Sequence, residues 1–286
     1  MLITNERPTA RQIMARAWQS LLSAMHQMAP FFLTAFLLLV GLSFVTSRLS
    51  HLLPFTPIDY ARHLVKPGPI PLSGMLLLLA FTTLSTILSA IILAPIAVVM
   101  HRFILLGEVR TGLYTITALS LRFAAWVALF RVTLQLFQML QLLRPGMHLV
   151  VSLINIGYWV LVLWTLLLFP SIAVDEPSSS TGKRLDTALE RAKGSFWLTL
   201  RAMFLTLVPL ILVMSLFVMV PMFQNGFDGA RDPAADVARF STWPYLIWGG
   251  VSGVLLVALG AAAASWLYSY AVSREFPGKA HSDSAS

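Results

Sequence analysis

The chain has 286 residues, 57% of them hydrophobic and only 11% charged, where a soluble domain carries about 25% charged residues. That balance excludes an ordinary soluble core. The apolar runs are continuous, and five or six of them reach the roughly 20 residues a bilayer-spanning helix needs, which also excludes a barrel of short alternating strands. A net charge of +8 and a pI near 10.3 would suggest nucleic acid in a soluble protein. Here the basic residues flank apolar spans, so topology accounts for them and no nucleic-acid partner is expected. There is no cysteine, which removes disulfides, thiolate metal sites and cysteine nucleophiles.

In chain order, Pro8 and Thr9 open a helix with Ala10, Ile13, Met14, Ala17 and Leu21 on one stripe and Arg7, Arg11 and Arg16 off it. The first span follows over about 28–46. It lacks an Ala-x-Ala-like cleavage site nearby, so a retained span is expected, not a removed signal peptide. A loop dense in proline, through His51, Pro54, Pro57, His63 and the PGPIP stretch at 67–71, cannot be regular helix. The second span, about 72–100, includes Pro95, which is expected to kink it.

Residues 103–121 are predicted to be a weaker copy of the opening helix, with Leu113, Tyr114, Thr117 and Leu121 at the stripe positions. The third span covers about 122–143, and the fourth about 147–174. Residues 183–196 then form a second strong amphipathic helix, with Leu185, Ala188, Leu189, Ala192 and Phe196 on its stripe and Lys183, Arg184, Arg191 and Lys193 pointing elsewhere. It runs into the fifth span, which ends near residue 220. A polar loop of about 224–242 precedes the sixth span, about 243–272, and the polar tail 276–286 is expected to be disordered.

The expected fold is therefore all-α: one transmembrane domain over 1–275, six transmembrane helices and three amphipathic helices on the cytoplasmic face. Arg16–Leu21 (RAWQSL) echoes Arg191–Phe196 (RAKGSF) at a displacement of 175 residues. This suggests a threefold internal repeat with units 8–100, 103–174 and 181–273; chance self-similarity among apolar letters is the competing reading. With the N-terminus inside, inner segments hold twelve Lys and Arg and outer segments six. The bias places both termini in the cytoplasm. Basic residues beside the membrane (Arg11, Arg16, Lys183, Arg184, Arg191 and Lys193) are expected to meet anionic head groups.

Arg131 lies near the middle of the third span, where an arginine costs about 2.5–3.5 kcal/mol and so needs protein or water around it. Gln135 and Gln138 follow on the same face, and Asn155 and Tyr158 in the next span are candidate partners. Two readings stand: a ligand site for a lipid phosphate or substrate carboxylate, or a polar network that pins helix packing. None of the twelve Asp and Glu falls inside a predicted span, which counts against a proton-driven pump. Gly249, Gly253, Gly260 and Ala264 share one face of the sixth span, where small residues allow close helix packing or self-association. The six histidines show no metal-binding spacing, no cofactor motif is present, and no acid–base pair or nucleophile motif can be found.

At residues 169–197, FPSIAVDEPSSSTGKRLDTALERAKGSFW, the chain resembles a group of uncharacterised bacterial six-span membrane proteins. That group is similar to the membrane domain attached to some glycerophosphodiester phosphodiesterases. Pro170, Asp175 or Glu176, Ala188, Leu189, Arg191, Gly194, Phe196 and Trp197 carry the resemblance, while Ala192 stands where serine is usual. The resemblance implies a membrane-resident module and no catalytic domain. The expected function is a non-enzymatic membrane protein that binds lipid or scaffolds protein partners or copies of itself. The alternative is a transporter or flippase-like protein for an amphipathic anion, using Arg131. A membrane-embedded lipid-modifying enzyme would need an acid and base at one depth, and the sequence offers none.

Overall fold

The computed structural model describes residues 8–56, 59, 71–143, 148–174, 181–224 and 242–275. The tail 276–286, residues 67–70 of the PGPIP stretch, Asp175, Glu176 and the acidic loop residues Asp228, Asp232 and Asp236 lie outside these residues. Nine helices are present among the described residues: α1 Ala10–Gln27, α2 Ala29–Ser50, α3 Leu72–Leu106, α4 Ala118–Leu143, α5 His148–Thr165, α6 Leu168–Ala173, α7 Thr181–Lys193, α8 Phe196–Gln224 and α9 Trp243–Glu275. No strand occurs among them. Five of these helices, α2, α3, α4, α8 and α9, are long and apolar enough to cross a membrane. The chain is a multi-pass, all-helical membrane protein.

The expected fourth span, 147–174, is two helices. α5 ends at Thr165 and α6 begins at Leu168. Pro170 lacks the N–H that would continue the ladder onto the Leu166 carbonyl, so the turn opens there. In α6 the proline falls in the first turn, where an N–H has no intrahelical partner anyway.

α1 starts with a reciprocal cap in which Gln12 N donates to Thr9 Oγ1 at 3.3 Å and Thr9 N donates to Gln12 Oε1 at 2.8 Å. It buries Ile13, Ala17, Leu21 and Ala24 as one stripe. Met28 alone separates it from α2, so the chain turns a corner at a fully buried side chain. α7 buries Ala188 and Ala192 from its stripe.

The third amphipathic helix is not there. Residues 107–117 carry no helix, whereas 103–121 was expected to be one. α3 continues through Leu106 and is capped by Gly107 at φ +69, whose N–H returns to the Arg102 carbonyl. The following residues are rich in β-branched side chains and glycine, which favour extended backbone over a new helix nucleus. Helix resumes only when Thr117 and Ser120 exchange bonds, Thr117 N donating to Ser120 Oγ at 2.8 Å and Ser120 N to Thr117 Oγ1 at 3.2 Å. The connector is tied down by Tyr114, whose hydroxyl donates to the Ile92 carbonyl at 2.5 Å. That carbonyl lies in the turn that Pro95 loosens, next to the Ile91 carbonyl the proline leaves without a partner.

Glu108 takes both Nε and Nη2 of Arg102 at 2.7 Å, while Arg102 Nη1 reaches the Ala173 carbonyl of α6 at 3.1 Å. The Arg102 hydrogen bond holds the Glu108 carboxyl below its ordinary 4.5. A depressed carboxylate contributes stability above its unfolded pKa and loses it as pH falls through the folded value. Glu108→Gln is thus expected to cost well under about 1 kcal/mol at pH 7, because half the side chain faces solvent. The difference between the two proteins shrinks as pH falls below the ordinary Glu108 value of 4.5 and is gone once the folded carboxyl is protonated, as read by unfolding in detergent across pH.

α9 is the hub, packing on α1, α2, α3, α6, α7 and α8, and more of it is buried than of any other span. The second helices of the three sequence units, α3, α5–α6 and α9, also meet: α3 packs on α9, and α6 on both. Met28, Phe31, Ile96, Met100, Ala258 and Leu259 are fully buried in this core.

Candidate functional site

Two arginines at equivalent positions of the echoing segments do the same thing. Arg16 of α1 lies over the Trp266 ring at 5.0 Å, and Arg191 of α7 lies over Tyr268 at 5.1 Å while donating to its hydroxyl at 3.1 Å. Trp266 Nε1 also donates to Ser20 of α1 at 3.1 Å. Both helices are thereby clamped to one end of α9 by cation–π contact.

Arg11 has a different setting. With Thr9, Ala10, Leu200, Arg201, Phe204 and Leu205 it lines a groove of ≈ 650 Å³ between the start of α1 and the first turns of α8. Both arginines are exposed, and Phe204 is 62% exposed on the same wall. Two arginines lining an apolar groove match a ligand with an anionic head and hydrocarbon chains. No spacing in the sequence joins these two arginines, because Arg201 lies within the expected fifth span and Arg11 is 190 residues away along the chain. Lys193 is exposed; Lys183 and Arg184 belong to α7, but their side chains lie outside the described residues.

Arg131 lies at mid-length in α4, and its side chain is exposed. Its expected partners are engaged elsewhere. Gln135 accepts from Thr86 Oγ1 at 3.2 Å and donates to Thr82 Oγ1, bridging α4 to α3. The Tyr158 hydroxyl donates to the Phe130 carbonyl, one residue from Arg131. Asn155 is half-buried on α5, and the Gln138 side chain lies outside the described residues. Among the described residues nothing hydrogen-bonds to the Arg131 guanidinium. Gln135 and Tyr158 therefore hold α3, α4 and α5 together, and Arg131 stands beside that network without joining it.

The glycine face of α9 is distributed unevenly. A Cβ on Gly249 or Gly260 would meet nothing within 4 Å, and one on Gly253 would make ordinary contact with Leu39 Cδ1 at 3.6 Å. Ala264 is 2% exposed. The close approach is at Gly250, where a Cβ would stand 2.6 Å from Val40 Cγ2 and 3.2 Å from the Phe36 ring of α2. Gly249 instead faces an apolar groove of ≈ 660 Å³ between α2, α8 and α9, beside Ser43, Met214, Tyr245 and Trp248.

His101 is the polar core residue that sequence spacing passed over. It is 1% exposed, with Nδ1 2.7 Å from Ser265 Oγ on α9 and its ring beside Phe123. Ser265 Oγ is also placed to donate to the Ala261 carbonyl at 2.9 Å, and in that arrangement the imidazole donates from Nδ1. This is the reverse of an activated serine, where the ring accepts the hydroxyl proton. The pair ties α3 to α9. No group of three His, Cys, Asp or Glu able to hold a metal comes together among the described residues.

No family model, no curated protein and no solved structure matches this chain.

Proposed function

We propose that the protein is a bacterial inner-membrane protein without catalytic chemistry of its own that binds anionic phospholipid in the cytoplasmic leaflet. α1 and α7 lie in the head-group region, both termini are cytoplasmic, and α5 with α6 makes a sixth crossing. The observation that carries this reading is the groove that the exposed residues Arg11 and Arg201 line together with Leu200, Phe204 and Leu205. The excess of basic residues in the segments read as inner supports the orientation. Support for the internal repeat comes from the mutual packing of α3, α6 and α9 and from the matched stacking of Arg16 and Arg191. Against it stands the middle unit, which lacks an opening helix.

The test is lipid binding by the full chain in nanodiscs containing mixed phosphatidylcholine and phosphatidylglycerol, with bound lipid counted by native mass spectrometry. Wild type is expected to retain phosphatidylglycerol selectively. Each charge-assisted contact to phosphate is worth about 1.5–3 kcal/mol, so Arg11→Ala with Arg201→Ala is expected to lower that retention at least about tenfold. Equal retention by the double variant, or turnover of the lipid by the purified wild type, would sink the proposal.

A further inference from the structure

Arg131 is an exposed residue of α4, and among the described residues nothing hydrogen-bonds to its guanidinium. α4 places it thirteen residues from Ala118 and twelve from Leu143, about 18–20 Å from either helix end at 1.5 Å per residue. The hydrocarbon core is about 30 Å thick, so this depth is near its middle. An arginine side chain extended toward either surface falls short of the phosphate layer there. A cation at this depth is tolerated when it faces protein, water or a counter-charge, yet Arg131 is exposed and the nearby polar groups, Gln135 and Tyr158, are committed to α3 and to the α4 backbone. A second copy of the chain offers no remedy, since all twelve Asp and Glu lie outside the spans.

We propose that the face of α4 and α5 around Arg131 docks a transmembrane helix of a different protein, one carrying an aspartate or glutamate at the middle of its span. Charge complementarity selects the acid, and the hydrocarbon makes the selection strong, because each charge alone is expensive there. Apolar side chains are exposed along both helices, Leu129 and Leu136 on α4 and Leu153, Ile156 and Trp159 on α5. α5 itself has an apolar stretch, Leu149–Thr165, shorter than the five full spans, and a neighbouring helix would cover the side it leaves open.

The experiment uses the full-length purified chain in phosphatidylcholine vesicles with a labelled leucine-rich peptide of about 20 residues, long enough to span. The peptide carries a central aspartate or, as control, a central leucine. Association is read by energy transfer from a label on the protein. The aspartate peptide is expected to associate about tenfold more tightly than the leucine peptide, in line with 1–2 kcal/mol for polar contacts between membrane helices. That preference is expected to vanish in Arg131→Leu, and Arg131→Glu is expected to prefer a central lysine. Should Arg131→Leu fail to insert, Arg131→Lys against Arg131→Gln carries the same comparison, with only the charged variant keeping the preference. Equal association of the two peptides with wild type overturns the proposal, as does a preference that survives Arg131→Leu. Two further outcomes also overturn it: loss of the preference when phosphatidylglycerol is added, which assigns Arg131 to lipid, and energy transfer between copies that depends on Arg131.

Discussion

Gly250→Leu is expected to prevent α2 and α9 from docking, and Gly250→Ala to weaken that contact by about 1–3 kcal/mol, the usual cost of an extra methyl in a packed site. The cause is local: Val40 Cγ2 would stand 2.6 Å from the new Cβ, with Phe36 behind it at 3.2 Å. In lipid there is little hydrophobic drive between helices, so close packing supplies much of the association energy and steric misfit is not offset elsewhere. Gly249→Ala is the matched control. It gains the same helix propensity, up to about 1 kcal/mol, and meets open space, so it is expected to be neutral or mildly stabilising. Unfolding in mixed micelles measures both. Val40→Ala is expected to recover part of the Gly250→Ala loss, because the two sites share one contact. Equal behaviour of the two alanine variants would show that α2 does not lie against Gly250.

His101→Ala is expected to destabilise the protein by about 3–5 kcal/mol, the range for removing a buried ring and leaving a cavity. His101 is among the largest fully buried side chains, where α3 meets α9 and the ring of Phe123. Ser265→Ala is expected to cost only about 1 kcal/mol. With the serine hydroxyl donating to the Ala261 carbonyl within α9, its loss removes an acceptor from the imidazole while the ring still fills its space. The same unfolding assay separates the two. A His101→Ala variant as stable as Ser265→Ala would mean that the ring is not packed between α3 and α9.

Both outcomes turn on contacts between helices distant in sequence, and the same division runs through the molecule. Sequence alone determined the membrane class and the extents of five long helices, because hydropathy over about 20 residues is a local property that lipid reads directly. It also located α1 and α7, whose stripes repeat with the helix period and whose first turns carry their own caps or charges. It misjudged residues 103–121, where four residues at stripe spacing outweighed Gly107 and the β-branched run after it. A left-handed cap ends a helix whatever the periodicity beyond it.

The rest was decided by tertiary structure. Gly249 and Gly250 are adjacent letters, and which of them touches α2 depends on the rotation of α9 about its axis, a property of the assembled bundle. His101 and Ser265 are 164 residues apart, so no spacing rule connects them. Arg11 and Arg201 become one groove only when the first helix folds back against the eighth. Arg131 was visible in the sequence as a charge at the wrong depth for lipid. Only the packing of α3, α4 and α5 showed that Gln135 spends its hydrogen bonds on α3 and Tyr158 on the α4 backbone, leaving that charge facing outward.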